Sequence, residues 1–121
     1  MAVIKVYTNI EQSKKLAEIL PLESADGTWK RYAICGDALN MPKEIQYIHI
    51  ETPFRLYSGI GTPCWSLAAL LNVLPNYQMQ TQDDGIGILC SCNGKFNIVT
   101  ADNPVDACYG MIIKLNEQKL L

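Results

Sequence analysis

The segment from Trp65 to Leu74 limits the folds open to this chain more than any other stretch. Leu67, Leu70, Leu71 and Leu74 recur at the i, i+3, i+4, i+7 spacing of a helix face, and Trp65, Ala68, Ala69 and Val73 fill much of the remaining circumference. A helix apolar nearly all round belongs inside a core. Pro75 ends it. Thr62-Pro63 ahead of it reads as an N-cap followed by a first-turn proline, whose missing N–H would have no intrahelical partner. The stretch is too short, and too interrupted by Ser66 and Asn72, for a bilayer that needs roughly twenty apolar residues, so no membrane span is expected.

Such a helix needs a layer to cover it, and 121 residues provide for one domain, residues 1–121, rather than two independent cores. Val3, Val6 and Tyr7 predict an opening strand, and Thr8 and Glu11 stand in capping-box spacing ahead of a helix over 9–20 that Pro21 stops. Asp26-Gly27 turns the chain into a strand over Thr28 to Ile34, and alternation predicts another over Ile45 to Glu51. Ile86 to Cys92, Asn93-Gly94 and Lys95 to Thr100 form the strongest hairpin signal. A two-residue type I′ turn there sets Cys92 opposite Lys95, Cys90 opposite Asn97 and Leu89 opposite Ile98.

The last helix opens at Asn103-Pro104, with Asp106 at the positive end of its dipole and Val105, Cys108, Ile112 and Leu115 as its buried stripe. Gly110 inside it costs on the order of 1 kcal/mol relative to alanine, which points to a close approach by another backbone. Residues 76–83 fit a loop and a strand equally. The expected order is β-α-β-β-α-β-β-α, an α+β fold with three helices on a mostly antiparallel sheet of about five strands.

Composition narrows the function classes. Apolar residues make up 49% and charged residues 18%, values of a globular chain rather than a disordered one. Ten Lys plus Arg against twelve Asp plus Glu give a formal net charge of −2 without a basic stripe, so nucleic acid is not the expected partner. Five cysteines, at positions 35, 64, 90, 92 and 108, form no even, dense framework, and the first residues carry no basic segment followed by an apolar run. A reducing, cytoplasmic setting with free thiols is expected.

Three places can carry chemistry. Ser58-Gly59-Ile60-Gly61-Thr62 joins a flexible connection to a helix start whose free amides suit an anion, with Arg55, Tyr57 and Trp65 adding charge and stacking surface. The glycine spacing is neither a dinucleotide fingerprint nor a P-loop. Cys64, in the first turn of the helix, would have its thiol acidity raised by the dipole, and His49, the lone histidine, could serve as its base. No third residue orients that base, and the histidine precedes the cysteine. Cys90 and Cys92 share one face of a strand, yet two sulfurs do not make a metal site, and no further ligand stands in paired spacing.

Two segments, Tyr7-Thr8-Asn9-Ile10-Glu11-Gln12-Ser13-Lys14-Lys15-Leu16-Ala17 and Thr62-Pro63-Cys64-Trp65-Ser66-Leu67-Ala68-Ala69-Leu70-Leu71, together with Asn103-Pro104-Val105-Asp106-Ala107, carry a family likeness. Through them the chain resembles a family of short cytoplasmic Bacteroidales proteins associated with mobile elements or phages. That resemblance implies a cellular setting and no activity, cofactor or catalytic residue. The family pattern often has alanine just before Trp65, so Cys64 departs from it.

The expectation is therefore a non-enzymatic binding or interaction protein without a cofactor. Its contact surface would lie at Arg55, Tyr57, Gly59, Gly61, Thr62 and Trp65, and its partner would be another protein or a small anion. The alternatives are a cysteine hydrolase or acyltransferase using Cys64 and His49, and a structural subunit that forms a homodimer through a sheet edge or helix face.

Overall fold

Asn9, rather than Thr8, opens the first helix. The computed structural model of the chain describes residues 5–33, 44–49 and 61–121. In it α1 (Ile10–Ile19) begins with a reciprocal capping box, the Gln12 amide donating to the Asn9 side chain at 2.8 Å and the Asn9 amide to the Gln12 side chain at 3.1 Å. Thr8 is drawn away to a tertiary role. It is fully buried, its hydroxyl bonds Ser13 Oγ at 2.7 Å and accepts from the Trp65 amide at 3.2 Å, and its carbonyl accepts from the Trp29 indole at 2.7 Å. The expected opening strand is, among the described residues, a single antiparallel bridge between Tyr7 and Ser66.

Three strands form the first sheet: β1 (Gly27–Ala33), β2 (Glu44–His49) and β3 (Gly61–Cys64), antiparallel in the order β2-β1-β3. The first two lie where alternation puts them, within two residues at each end. β3 overturns the expected helix start at Thr62-Pro63. Cys64 is thus the end of a strand, not the first turn of a helix. Proline is at home there because, among the described residues, β3 is an edge strand, where a missing N–H need break no ladder. Gly27, level with Cys64, permits the close packing: a Cβ on it would come 2.9 Å from Cys64 Sγ and 3.0 Å from the Tyr7 ring.

Helix α2 (Leu67–Val73) starts at Ser66, whose hydroxyl accepts from the Ala69 amide at 3.2 Å. Its core character holds: Leu70 is fully buried, Leu74 nearly so, and Leu67, Ala69, Leu71 and Val73 pack against the core. Trp65 just ahead is fully buried and donates its indole N–H to Ser24 Oγ at 2.9 Å. Burial of a polar-tipped ring is favourable only when that tip has a partner.

The second sheet is β4 (Tyr77–Gln82), β5 (Gly85–Cys92) and β6 (Lys95–Ala101), antiparallel in that order. Asn93 at φ 51° and Gly94 at φ 77° make the type I′ turn, and the pairing is Cys92–Lys95, Cys90–Asn97 and Leu89–Ile98, the register read from the sequence. Helix α3 (Pro104–Glu117) covers one face, with Asn103 as N-cap and Pro104 in its first turn. Val105, Cys108, Met111, Ile112 and Leu115 are all fully buried, each contributing roughly 1.5–3 kcal/mol of hydrophobic stabilisation for the larger side chains. The neighbour that would meet a Cβ at Gly110 is the Val99 side chain at 2.9 Å, not a backbone.

The α+β class therefore holds, and among the described residues there are three helices and two three-stranded sheets instead of one sheet of about five strands. A polar clamp joins the N-terminal segment to α3. Lys5 Nζ donates to Asp106 at 2.7 Å and to Gln12 at 2.9 Å, and Gln12 and Asn103 each donate to Asp106 at 2.8 Å.

Candidate functional site

The start of α2 is occupied by the chain itself. The Ser66 amide donates to Asp26 Oδ1 at 2.8 Å and the Ser66 hydroxyl bonds the other Asp26 oxygen, so a carboxylate already stands at the positive end of the short helix. The Trp65 amide is taken by Thr8, and the Trp65 carbonyl accepts from the Thr8 amide at 3.0 Å. Of the residues expected to cradle an anion, Arg55, Tyr57 and Gly59 lie outside the described residues. Gly61 and Thr62 are paired with Lys30 and Trp29 in β3, and Trp65 offers no surface. The expectation of open helix amides at Thr62 is corrected accordingly: the helix begins four residues later, and the amide of its cap residue, Ser66, already donates to Asp26.

The geometry is equally unfavourable to a thiolate at Cys64. Its side chain is fully buried, and burial, followed by the charge of Asp26, pushes the thiol up to about 12. A nucleophilic cysteine needs the opposite shift. The register sets position 49 level with Thr28 and Pro63, one step out of phase with Cys64, so positions 49 and 64 belong to opposite faces of the first sheet. The dipole expected to acidify Cys64 belongs to a helix that has not yet begun there.

Cys90 and Cys92 do share the helix-covered side of β5. Burial raises the Cys90 thiol, with the neighbouring Cys92 adding to it, and burial raises Cys108 to about 12, with Cys90 adding. Among the described residues no group of three or more His, Cys, Asp or Glu side chains is placed to hold a metal, and Cys64, Cys90, Cys92 and Cys108 are free thiols.

What remains open is the other face of the second sheet. Strand alternation sends Asn97, Val99 and Ala101 toward α3 and turns Phe96, Ile98 and Thr100 outward. Phe96 is 71% exposed and Ile98 60%, the two largest exposures among the large apolar side chains described. Beside them on β5 stand Ser91 and Leu89, and beyond these on β4 stand Gln78, Gln80 and Gln82. No outward-facing position of the three strands carries a charge.

The backbone of β6 is open as well. In the type I′ turn the Lys95 N–H bonds the Cys92 carbonyl, and antiparallel pairing alternates from there. Asn97, Val99 and Ala101 therefore share hydrogen bonds with β5, while the N–H and C=O groups of Phe96, Ile98 and Thr100 point away from the sheet. Among the described residues no other backbone bonds them. From Phe96 to Ala101 the strand has no charge, no proline and no bulge, the devices that usually blunt an edge. At its far end an open cleft of about 260 Å³ is lined by Gln82, Asp84, Gly85, Thr100, Ala101 and Asp102.

No protein family, curated protein or solved structure matches the chain. No helix among the described residues is long and apolar enough to cross a membrane.

Sequence reasoning singled out the segment from Arg55 to Thr62, much of which lies outside the described residues, and did not single out β6. Phe96 and Ile98 were visible as same-face neighbours in the hairpin, and the uncharged run after Lys95 was the signal available. That β6 ends the sheet, with no further strand beside it among the described residues, depends on β4 folding back along β5 instead, and β4 is mostly polar and exposed with no alternation to announce it.

Proposed function

We propose that this chain is a non-enzymatic interaction protein that takes an extended polypeptide along β6. One observation carries the reading: among the described residues, an edge strand whose outward backbone groups are unpaired is also the strand bearing the two most exposed large apolar side chains, Phe96 and Ile98. Main-chain hydrogen bonds supply affinity to an added strand, and alternate side chains supply selectivity. The free thiols fit a reducing, cytoplasmic setting, and the resemblance to short proteins of mobile elements or phages fits a module that works through a partner rather than through chemistry. A fully buried Cys64 with a raised pKa lends the hydrolase alternative no support.

A display selection of short extended peptides on the immobilised chain, followed by amide-shift mapping, tests the proposal. Selected peptides are expected to shift the Phe96, Ile98 and Thr100 amides and to lose binding when Ile98→Lys places a charge on the edge. Peptides that map to another surface, or binding indifferent to Ile98→Lys, refute it.

A further inference from the structure

The partner of an open edge is identified by what complements its length, its backbone and its charge. The stretch Phe96–Ala101 is neutral, with Lys95 at one end and Asp102 just past the other. An edge of that kind is complementary to itself when turned end for end. In antiparallel pairing centred on Ile98, Ile98 meets its own copy and Phe96 meets Thr100. These are the three residues whose backbone groups face outward, so about six hydrogen bonds form with none wasted. The same register sets Lys95 level with Ala101 of the second copy, one position short of Asp102, so unlike charges stand near each other at both ends. A centre one residue away uses fewer outward groups.

We propose, resting on the reading of β6 as the interaction edge, that its partner is a second copy of this chain, β6 adding to β6 in that register to make one sheet through both molecules. Pairing joins the outward side chains into a stripe, Phe96 and Ile98 of one copy against Thr100 and Ile98 of the other. An apolar strip that a lone molecule leaves in water gains cross-strand neighbours. Because an edge contact covers little area beyond the strand itself, association is expected on the order of micromolar rather than nanomolar.

Light scattering and sedimentation of the full chain from roughly 5 to 500 µM test this, since a micromolar dimer changes mass within that range. The expected result is a concentration-dependent dimer that Ile98→Lys and, separately, Thr100→Lys abolish while circular dichroism stays native, and that Tyr77→Lys on the opposite edge leaves intact. Hydrogen exchange of the Phe96, Ile98 and Thr100 amides slows as the dimer fills. Lys95→Glu or Asp102→Lys alone weakens it about two- to five-fold, and the two together restore it. A monomer throughout the range, a dimer indifferent to both β6 lysines, or a double charge exchange weaker than either single one overturns the proposal. A monomer whose β6 still binds selected peptides overturns the self-pairing alone, whereas failure of both removes the interaction reading too.

Discussion

Replacing Thr28 by valine should make the protein more stable, a sign that few single substitutions share. Thr28 lies in β1 between Pro63 of β3 and His49 of β2, it is 0% exposed, and its Oγ1 has no hydrogen-bond partner among the described residues. A hydroxyl buried without a partner gives up its water hydrogen bonds for nothing, at a cost of about 1–3 kcal/mol by protein mutational data. Valine has nearly the same shape, keeps the β-branch that suits a strand, and puts a methyl where the orphan oxygen stood. The expected gain is about 1–2 kcal/mol. With an unfolding entropy of roughly 2.1 cal/mol/K per residue over 121 residues, this raises Tm by about 4–8 °C. Thr28→Ser is the control, because it keeps the hydroxyl, loses a buried methyl and should cost about 1 kcal/mol. Calorimetry with parallel urea melts measures both. A Thr28→Val protein that melts at or below the wild type refutes the reasoning, since the hydroxyl would then have a partner whose loss outweighs the methyl gained.

The remaining predictions concern the clamp, the helix–sheet contact and the thiols. Burial raises the Asp106 carboxyl, but hydrogen bonds from Gln12, Lys5 and Asn103 and the charge of Lys5 outweigh it and hold the group below its ordinary 3.8. A depressed folded pKa gives stability that is present above the unfolded value and lost as pH falls through the folded one. Urea melts from pH 5 down to pH 2 should therefore show stability falling in the wild type and a shallower fall in Asp106→Asn; parallel curves would exclude the clamp as the source. Gly110→Ala gains about 1 kcal/mol in helix propensity, yet its Cβ meets Val99 Cγ1 at 2.9 Å, and forcing a stiff β-branched side chain aside costs about 1–3 kcal/mol. The variant should be less stable than wild type, and a double-mutant cycle with Val99→Ala should show favourable coupling above about 0.5 kcal/mol; an additive cycle would sink the contact. Iodoacetamide at pH 8, followed by peptide mass mapping, should label Cys92 well before Cys64 and Cys108, because only the first is partly exposed and the other two are raised to about 12. Equal labelling rates would contradict that ranking.

Features whose causes lie within a few residues are legible in the order of amino acids alone. The Asn93-Gly94 turn fixes the β5–β6 register because positive φ at both positions twists the strands into pairing. Asn103-Pro104 fixes where α3 begins because cap and first-turn geometry are local, and the stripe from Val105 to Leu115 fixes which side it buries. Local signals misled where a distant contact competed for the same residue. Thr8 reads as a cap, but its hydroxyl serves Trp65 and Ser13, so capping passes to Asn9. Thr62-Pro63 reads as a helix start, but pairing with Trp29 and Thr28 makes it a strand, so the cap passes to Ser66 and the ligand at that cap becomes Asp26. Long-range pairing set the rest: among the described residues the strands divide into two small sheets, and β6 is left at the edge of one of them. An edge is a strand without a neighbour, and whether a neighbour arrives depends on chain segments far apart in sequence, whose pairing no local preference records.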